Sequence, residues 1–403
     1  MKRRGEQILD AKRNILIFRD HLLPPSETFI RAQAEGLLSF RPYYMGSRLV
    51  EGIDIEKDAR FVVNQGGTLG RFKEIGFKLV GLNWGMAGEL QRLQPKLIHA
   101  HFGTDAAIVL PLAAKLNIPL ITTFHGYDAT TKDEYAKKSY YTHRNYVKKR
   151  KQLQRNGALF IAVSDFVEKK LLEQGYPPHK VVRHYTGINP QIFQADSSVQ
   201  RKPIVLFVGR LVEVKGCTYL LQAMQAVQEA IPGVQLVVIG DGPQRGELEH
   251  MAQRTLADYR FLGLQSPAEI KAWMNQAQVF CAPSVSVDNG AEEGLGTVFL
   301  EASAMGLPVV SFATGGIPEA VKHGQTGLLA PEKNTAALSQ HIIALLTNPL
   351  LWSRFSEQGR QRVIEHFDLE KQTRQMEDLY QSVLIERSSP RRTLLSDTLG
   401  NLF

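Results

Sequence analysis

Between residues 204 and 312 the chain repeats one unit: a short, mostly apolar run, a turn rich in glycine or proline, and a longer amphipathic segment. The runs Ile204–Val208, Gln235–Ile239, Tyr259–Leu262, Val279–Ala282 and Pro308–Phe312 are too short for helices. They read as strands buried on both faces of a parallel sheet, and the helices expected after Gly216, Pro243, Ser266, Gly294 and Gly316 supply the cover. The first half follows the same rule less regularly. Strands are expected at Asn14–Arg19, Tyr43–Val50, Leu97–Phe102, Pro119–Phe124, Ala158–Val163 and Val181–Tyr185. Helices are expected from Glu27, capped by Ser26, to about Ser39, over Phe72–Leu93 with a break near Gly81–Gly85, over Asp105–Leu116 and over Asp133–Asn156. Residues 53–70 carry no clear period. A chain of 403 residues is too long for one ordinary core. The pattern therefore predicts an α/β protein with two Rossmann-like parallel-sheet domains facing a cleft, where the carboxyl ends of the strands gather ligand-binding loops. Domain boundaries are expected at 1–195 and 203–366, joined by a polar linker from Gln194 to Lys202. A helix within 367–387 then returns to the first domain, and Ser388 onward reads as a loose tail.

One stretch of the second domain carries the chemistry. In Glu293-Gly294-Leu295-Gly296-Thr297-Val298-Phe299-Leu300-Glu301, two carboxylates flank a turn whose glycines let backbone amides approach a bulky group. Amides bared at a helix N-terminus form an anion site, most often for phosphate. Carboxylates beside a phosphate would be repelled by it, so their partners are neutral hydroxyls. A diphosphate with a polyol at each end satisfies both halves, which describes a nucleotide sugar. Two glutamates eight positions apart are by themselves common on a helix surface; the embedded Gly-Leu-Gly and the preceding strand give the pair its weight.

Other segments add to this reading. Gly209-Arg210-Leu211-Val212-Glu213-Val214-Lys215-Gly216 follows a strand, and its planar Arg210 fork and compact Lys215 charge suit a diphosphate leaving group. The order Lys-Gly-Cys excludes a Walker loop. Gly240-Asp241-Gly242-Pro243 also opens a helix after a strand, on the edge where a nucleotide would lie, although its next glycine comes one residue late for a dinucleotide fingerprint. His99, His101 and His125 end two strands of the first domain. His99 and His101 share one side of their strand, and a satisfied buried histidine is the commoner fate for one of them. His125, followed by Gly126, is free to meet a ligand. The segment after Asp128 mixes Lys137, Lys138, Arg144 and Lys148 to Lys151 with Tyr135, Tyr140, Tyr141 and Tyr146, a composition suited to a bilayer interface or a lipid diphosphate, or else to a solvated helix face.

The formal charge of +8 and a pI near 9.3 favour anionic partners. No nucleic-acid signature accompanies that charge, so phosphate or an anionic membrane is expected rather than nucleic acid. No run of about 18 apolar residues exists, and the basic start Met1-Lys2-Arg3-Arg4 is followed by too short an apolar run for a leader, so a cytoplasmic protein is expected. Cys217 and Cys281 offer neither a disulfide framework nor a zinc set.

With these residues assembled, the chain resembles the retaining glycosyltransferases of family 4, which have the GT-B architecture, and is similar to members that build colanic acid and other exopolysaccharides. The resemblance rests on Glu293 to Glu301, on Gly315-Gly316-Ile317-Pro318-Glu319, on Gly324-Gln325-Thr326-Gly327-Leu328-Leu329, and on Pro25-Ser26-Glu27-Thr28-Phe29 with His99-Ala100-His101-Phe102-Gly103. It implies a hexosyltransferase in which Arg210 and Lys215 hold the donor diphosphate, Gly296 and Thr297 offer amides to it, and Gly209, Gly240 and Gly242 lie on the donor-binding side. Gly294, Leu295, Gly296 and Thr297 would line the donor, Glu301 would bind the ribose, and Glu293 the transferred sugar. His125 matches the first-domain histidine near that sugar, which makes His125, Glu293, Arg210 and Lys215 the catalytic set. Ser26, His99, His101 and Asp128 fall on the acceptor side. Many members carry a Gly-Gly loop after the first strand; here that loop is Asp20-His21-Leu22-Leu23-Pro24-Pro25-Ser26, and Ser26 stands in its place. The implied reaction moves a sugar from a UDP- or GDP-linked donor to a hydroxyl of a lipid-linked or other saccharide acceptor. No Asp-x-Asp motif occurs, so no metal or other cofactor is expected. The residues leave open a nucleotide-sugar epimerase, a non-catalytic sugar-binding module and, more weakly, a dehydrogenase.

Overall fold

A computed structural model describes residues 12–24, 27–81 and 86–388. Ser26, the interrupted stretch at 82–85 and the tail from 389 lie outside them. The first unit contains β1 (Arg13–Phe18), β2 (His21–Leu22), α1 (Thr28–Glu35), β3 (Phe40–Leu49), β4 (Arg60–Asn64), α2 (Gly67–Val80) and α3 (Ala87–Leu93). It continues with β5 (Ile98–His101), α4 (Gly103–Leu116), β6 (Leu120–Phe124), α5 (Tyr127–Thr130), α6 (Asp133–Ala136), α7 (Tyr141–Asn156), β7 (Leu159–Ala162), α8 (Asp165–Glu173) and β8 (Val181–Arg183). Its sheet is parallel throughout, in the order β2-β3-β1-β5-β6-β7-β8 with β4 on the outer side of β3.

The second unit runs β9 (Ile204–Val208), α9 (Cys217–Ala230), β10 (Gln235–Ile239), α10 (Arg245–Thr255), β11 (Tyr259–Gly263), α11 (Pro267–Gln276) and β12 (Val279–Cys281). Then come α12 (Thr297–Ala304), β13 (Val309–Phe312), α13 (Ile317–Ala320), β14 (Gly327–Ala330), α14 (Thr335–Thr347), α15 (Pro349–His366) and α16 (Leu369–Ser388). The parallel order β11-β10-β9-β12-β13-β14 reverses direction between β9 and β12, a switch point whose crevice sits beyond the strand ends. In the first sheet the corresponding reversal lies between β1 and β5.

Alternation along the strands divides the first core in two. Leu16, Phe18, Ala100, Phe124 and Ala162 face α4, whereas Ile15, Ile17, Ile121 and Ile161 face the other way and are covered by Ile30 and Ala34 of α1 and by Met376 and Tyr380 of α16. The last helix is therefore half the lid on the first sheet. It reaches that sheet where the chain crosses back beside its outward path: Ile188 N donates to Phe367 O (2.7 Å) and Leu369 N to Ile188 O (2.9 Å). Glu377 then accepts from the amides of Leu38 and Ser39 at 2.9 and 2.6 Å.

Three local readings change. The ambiguous stretch 53–70 contains β4, an edge strand with one buried residue of five, which is why no period shows. The single long helix expected over Asp133–Asn156 is two, α6 and α7, with a turn at 137–140. Tyr146 of α7 turns inward and is 3% exposed, bonded to Tyr176 at 2.9 Å, and Arg150 pairs with Asp133 at 2.6 Å, so this helix is less of a free basic-aromatic face than its composition suggests. Among the described residues no helix is long and apolar enough to cross a membrane.

Tyr380 gives α16 a polar anchor as well as an apolar one: its hydroxyl lies 2.6 Å from Nδ1 of the fully buried His99. Removing it with Tyr380→Phe leaves that nitrogen without a partner and is expected to destabilise the protein by roughly 1–3 kcal/mol in urea denaturation. Nucleotide-induced stabilisation should be unchanged, since the hydroxyl is remote from the second sheet.

Candidate functional site

The second-domain wall is built on the two strands that flank the switch point. After β9 the chain makes a short 3-10 turn at Glu213–Lys215, which lifts the Lys215 ammonium over the crevice. Its Nζ lies 2.5 Å from Oε2 of Glu293, and Ser284 Oγ lies 3.4 Å from the same oxygen. Arg210 is exposed at the mouth of β9 and has no carboxylate partner among the described residues. Gly296, in the left-handed region at φ 79°, starts α12, whose N-terminus has no side-chain cap. Just over one turn further on, Glu301 has no hydrogen-bond or salt-bridge partner among the described residues, and burial pushes its carboxyl up to about 7. Two cations, open helix amides and a carboxylate left for hydroxyls thus lie around one crevice. Gly240 and Gly242 are placed at this edge, but a Cβ on them would meet the carbonyls of Gly209 (1.9 Å) and Leu211 (2.4 Å), so close packing against the β9 loop is what requires glycine there.

The first-domain wall is a stack of histidines. His99 and His101 stack at 4.3 Å, His101 and His125 at 5.2 Å, and His101 Nδ1 lies 3.0 Å from His125 Nε2. His99 is held at both nitrogens, by Tyr380 and by Thr123 Oγ1 at 2.7 Å, and is fully buried. It is the satisfied core histidine, a support for His101 rather than a ligand contact. Burial, with Arg19 and His99 adding repulsion, brings His125 down to about 3; burial likewise lowers His99 to about 3 and His101 well below its ordinary value. All three rings are neutral at pH 7. Asp128, expected on the acceptor side, is 4% exposed and accepts from the amides of Gly103 (2.9 Å), His125 (3.1 Å) and Gly126 (3.0 Å). Its carboxyl is pushed up to about 6 by burial, against those amides. It organises the loop that presents His125 and has no free face for an acceptor.

Sequence reasoning missed Arg19. It follows β1 at the first sheet's switch point, is 8% exposed, donates to both oxygens of Glu27 (2.6 and 2.5 Å) and to Asp105, and lies 4.3 Å over the Phe102 ring. Burial alone would lower its pKa; Asp105 and Glu27 more than reverse that. The available signal was an arginine ending an apolar strand, which has no motif.

The walls touch at Glu293-Gly294. A Cβ on Gly294 would come within 2.0 Å of the His125 carbonyl oxygen, and one on Gly316 within 1.9 Å of the Gly294 oxygen, so both positions admit only glycine. Ser164 Oγ of the first domain donates to Gly294 O (2.6 Å), and Gly316 N of the second donates to Glu293 O (2.9 Å). Glu319 reaches across to cap α8, accepting from Asp165 N (2.8 Å) and Phe166 N (3.0 Å). Gly315 to Glu319 is thus a brace between domains.

Residues 189–362 match the family model Glycosyl transferases group 1, and residues 53–192 match Glycosyltransferase Family 4. A protein of Salmonella typhimurium described as a colanic acid biosynthesis glycosyltransferase is 28% identical over 293 residues, 70% of either chain. The amylovoran biosynthesis glycosyltransferase of Erwinia amylovora is 30% identical over 253 residues, covering 61% of this chain and 60% of that one. Among solved structures, Anabaena HepE in complex with UDP and glucose superposes with a TM-score of 0.73 at 19% identity, over 92% of this chain and all of the other. Sucrose-phosphate synthase from Thermosynechococcus elongatus gives 0.75 at 21%, over 93% and 100%.

The Glu301 carboxyl makes the stability of the fold pH-sensitive. Its folded pKa is raised, so below the ordinary carboxylate value it is neutral folded or unfolded and imposes no penalty. As pH rises the unfolded form ionises first, and the penalty grows until about 7, where the folded form ionises too. Glu301→Gln should therefore raise Tm by a few degrees above about pH 8 and have little effect below about pH 4, as read by calorimetry without ligand.

Proposed function

The chain belongs to the group 1 and family 4 glycosyltransferases and has the GT-B architecture, and from that premise we propose that it transfers a sugar from a UDP- or GDP-linked donor, with retention, to a hydroxyl of a lipid-linked saccharide during exopolysaccharide synthesis. The observation that carries the reading is the meeting of three groups at one point: Lys215 on Glu293, and the His125 carbonyl against Gly294. In this reading the donor diphosphate lies by Arg210, Lys215 and the first amides of α12, the ribose hydroxyls on Glu301, and the sugar between Glu293 and His125. The bond from the anomeric carbon to the phosphate oxygen breaks as the acceptor oxygen bonds to that carbon on the same face. The acceptor proton passes to the departing phosphate. Arg210, Lys215 and the helix amides balance the charge that develops there, with no metal. A neutral His125 would offer its sugar-side groups without repelling the cationic sugar of the transition state.

Support for the donor class comes from the UDP complexes of HepE, and support for the product class from the colanic acid and amylovoran relatives. A cytoplasmic location would give access to such a donor.

Thermal shift with UDP, GDP, ADP and NAD tests the donor: saturation to about 100 times Kd stabilises by roughly 2.7 kcal/mol. One nucleoside diphosphate should shift the wild type and leave Arg210→Ala unmoved. A response to NAD alone would return the chain to the dehydrogenase reading. With the donor known, Lys215→Ala should cut kcat by about a hundredfold or more, and NMR of the product should show the donor's anomeric configuration.

A further inference from the structure

His101 and His125 share one hydrogen bond, and its proton has two possible owners. Nδ1 of His101 lies 3.0 Å from Nε2 of His125, and burial keeps both rings neutral, so each ring carries a single proton at pH 7. The two outer nitrogens, His101 Nε2 and His125 Nδ1, have no hydrogen-bond partner among the described residues. If His101 Nδ1 holds the shared proton, His125 is protonated at Nδ1. If His125 Nε2 holds it, His101 is protonated at Nε2. The nitrogen that carries the proton on one ring is therefore fixed by the bond it makes to the other.

The surroundings decide between the two. His101 is 2% exposed and feels repulsion from Arg19, so a proton on its Nε2 would be a buried, unpaired donor near a guanidinium, which costs more than a bare lone pair there. His125 is half-buried, so its Nδ1 proton is left where water or a ligand can take it. Neither ring is free to turn. His101 stacks on His99, which is held at both nitrogens, and His125 is enclosed by Phe29 at 5.2 Å and Phe102 at 4.6 Å. Phe102 keeps that place at a backbone cost, with φ 74° and ψ 139°, a region that residues with side chains rarely adopt. Its amide donates to Thr123 O (2.7 Å), and the next amide, Gly103 N, donates to Asp128, which holds the turn in that form. Strain spent on a ring that braces His125 points to a role for the position of His125 beyond packing.

We propose that His101 is a positioning residue that fixes His125 in the Nδ1–H tautomer, so that His125 presents an N–H donor, and not a lone pair, to an oxygen of the bound sugar. A histidine free in water favours the Nε2–H form, so the bond from His101 imposes the less common one. A sugar hydroxyl accepts as well as donates, and a neutral donor of fixed direction holds it in one orientation for attack. His125 transfers no proton in this role and stays neutral throughout, so the departing phosphate remains the group that receives the acceptor proton. What the Nδ1 proton meets rests on the transfer reading; the tautomer itself belongs to the free protein.

The experiment is long-range proton–nitrogen NMR of the full chain carrying nitrogen-labelled histidine, with the His125 ring assigned by its loss in His125→Gln. Without ligand, wild-type His125 should be protonated at Nδ1 and bare at Nε2. His101→Phe keeps an aromatic ring but no donor, and His125 should turn to the Nε2–H form. In His101→Asn the side-chain amide stands where Nδ1 did, and the Nδ1–H form should be kept. With the donor known, His101→Phe should lower kcat by about tenfold or more and change the donor KM much less, and His101→Asn should recover most of the loss. Nucleoside diphosphate thermal shifts, unchanged in both variants, would show that they fold; should His101→Phe not fold, the wild-type and His101→Asn spectra decide alone. The proposal is overturned if wild-type His125 is in the Nε2–H form or an even mixture, if His101→Phe leaves its tautomer as it was, or if kcat falls equally in both variants. If no nucleoside diphosphate shifts the protein, the transfer reading fails, and the spectra still decide whether His101 sets the tautomer.

Discussion

The backbone at Glu293-Gly294 is held from both domains, and the geometry of the cleft depends on it. Its two carbonyls are taken by Gly316 N from behind and Ser164 Oγ from across, and its α-carbon lies where any side chain would strike the His125 carbonyl. The Gly294–His125 approach is backbone on backbone and Ser164 is a short side chain, so the separation of the walls has little play. Glu293 can then present its carboxylate to Lys215 while its main chain bridges the domains. Glu319 adds a second tie at α8, where a carboxylate on two bared amides is favoured by the helix dipole as well as by the hydrogen bonds.

Burial keeps the histidines of the other wall neutral, and the charge beside them adds to it. Arg19 stands at the first switch point and is kept charged by Glu27 and Asp105, so His125 cannot gain a proton without repulsion from it. Burying an arginine with two carboxylates costs desolvation that the Coulomb attraction only partly offsets, and hydrophobic replacements are often no less stable. A cluster of this kind is better understood by what it does to its neighbours. Here it fixes Phe102 beneath the guanidinium and against the His125 ring, and adds repulsion to the burial that keeps that ring neutral.

The second domain was legible because its strands are buried on both faces. Continuous apolar runs between glycine turns have few other readings, and all five expected strands are present, with β14 as a sixth whose Gly-Leu-Leu-Ala is too short to carry a period. The first domain was less legible wherever burial is partial. β4 alternates weakly because it lies at an edge, and α6 and α7 look like one helix because the turn between them contains lysines and a serine in place of glycine or proline. Motif residues could be named from spacing, but partnership could not. Nothing in the sequence said that Asp128 would spend its carboxylate on three amides, that His99 would be closed off by a tyrosine 281 positions away, or that Arg19 would join Glu27 and Asp105.

α2 inverts the usual distribution of a surface helix, and the inversion is physically connected to the cleft. Its inner face holds Glu74, kept below the ordinary carboxylate range because Lys78, Asn64 and Arg48 outweigh the effect of burial. Lys78 passes the chain of charges to Asp20 at 2.9 Å, and the Asp20 amide donates to Asp105, the partner of Arg19. Paired charges inside and bare apolar side chains outside, Phe72, Ile75 and Leu79, are each unfavourable for a helix in water. Phe77, packed on Phe18, and the ion pairs of Glu74 and Lys78 together hold α2 in a single position relative to Asp20 and the histidine wall.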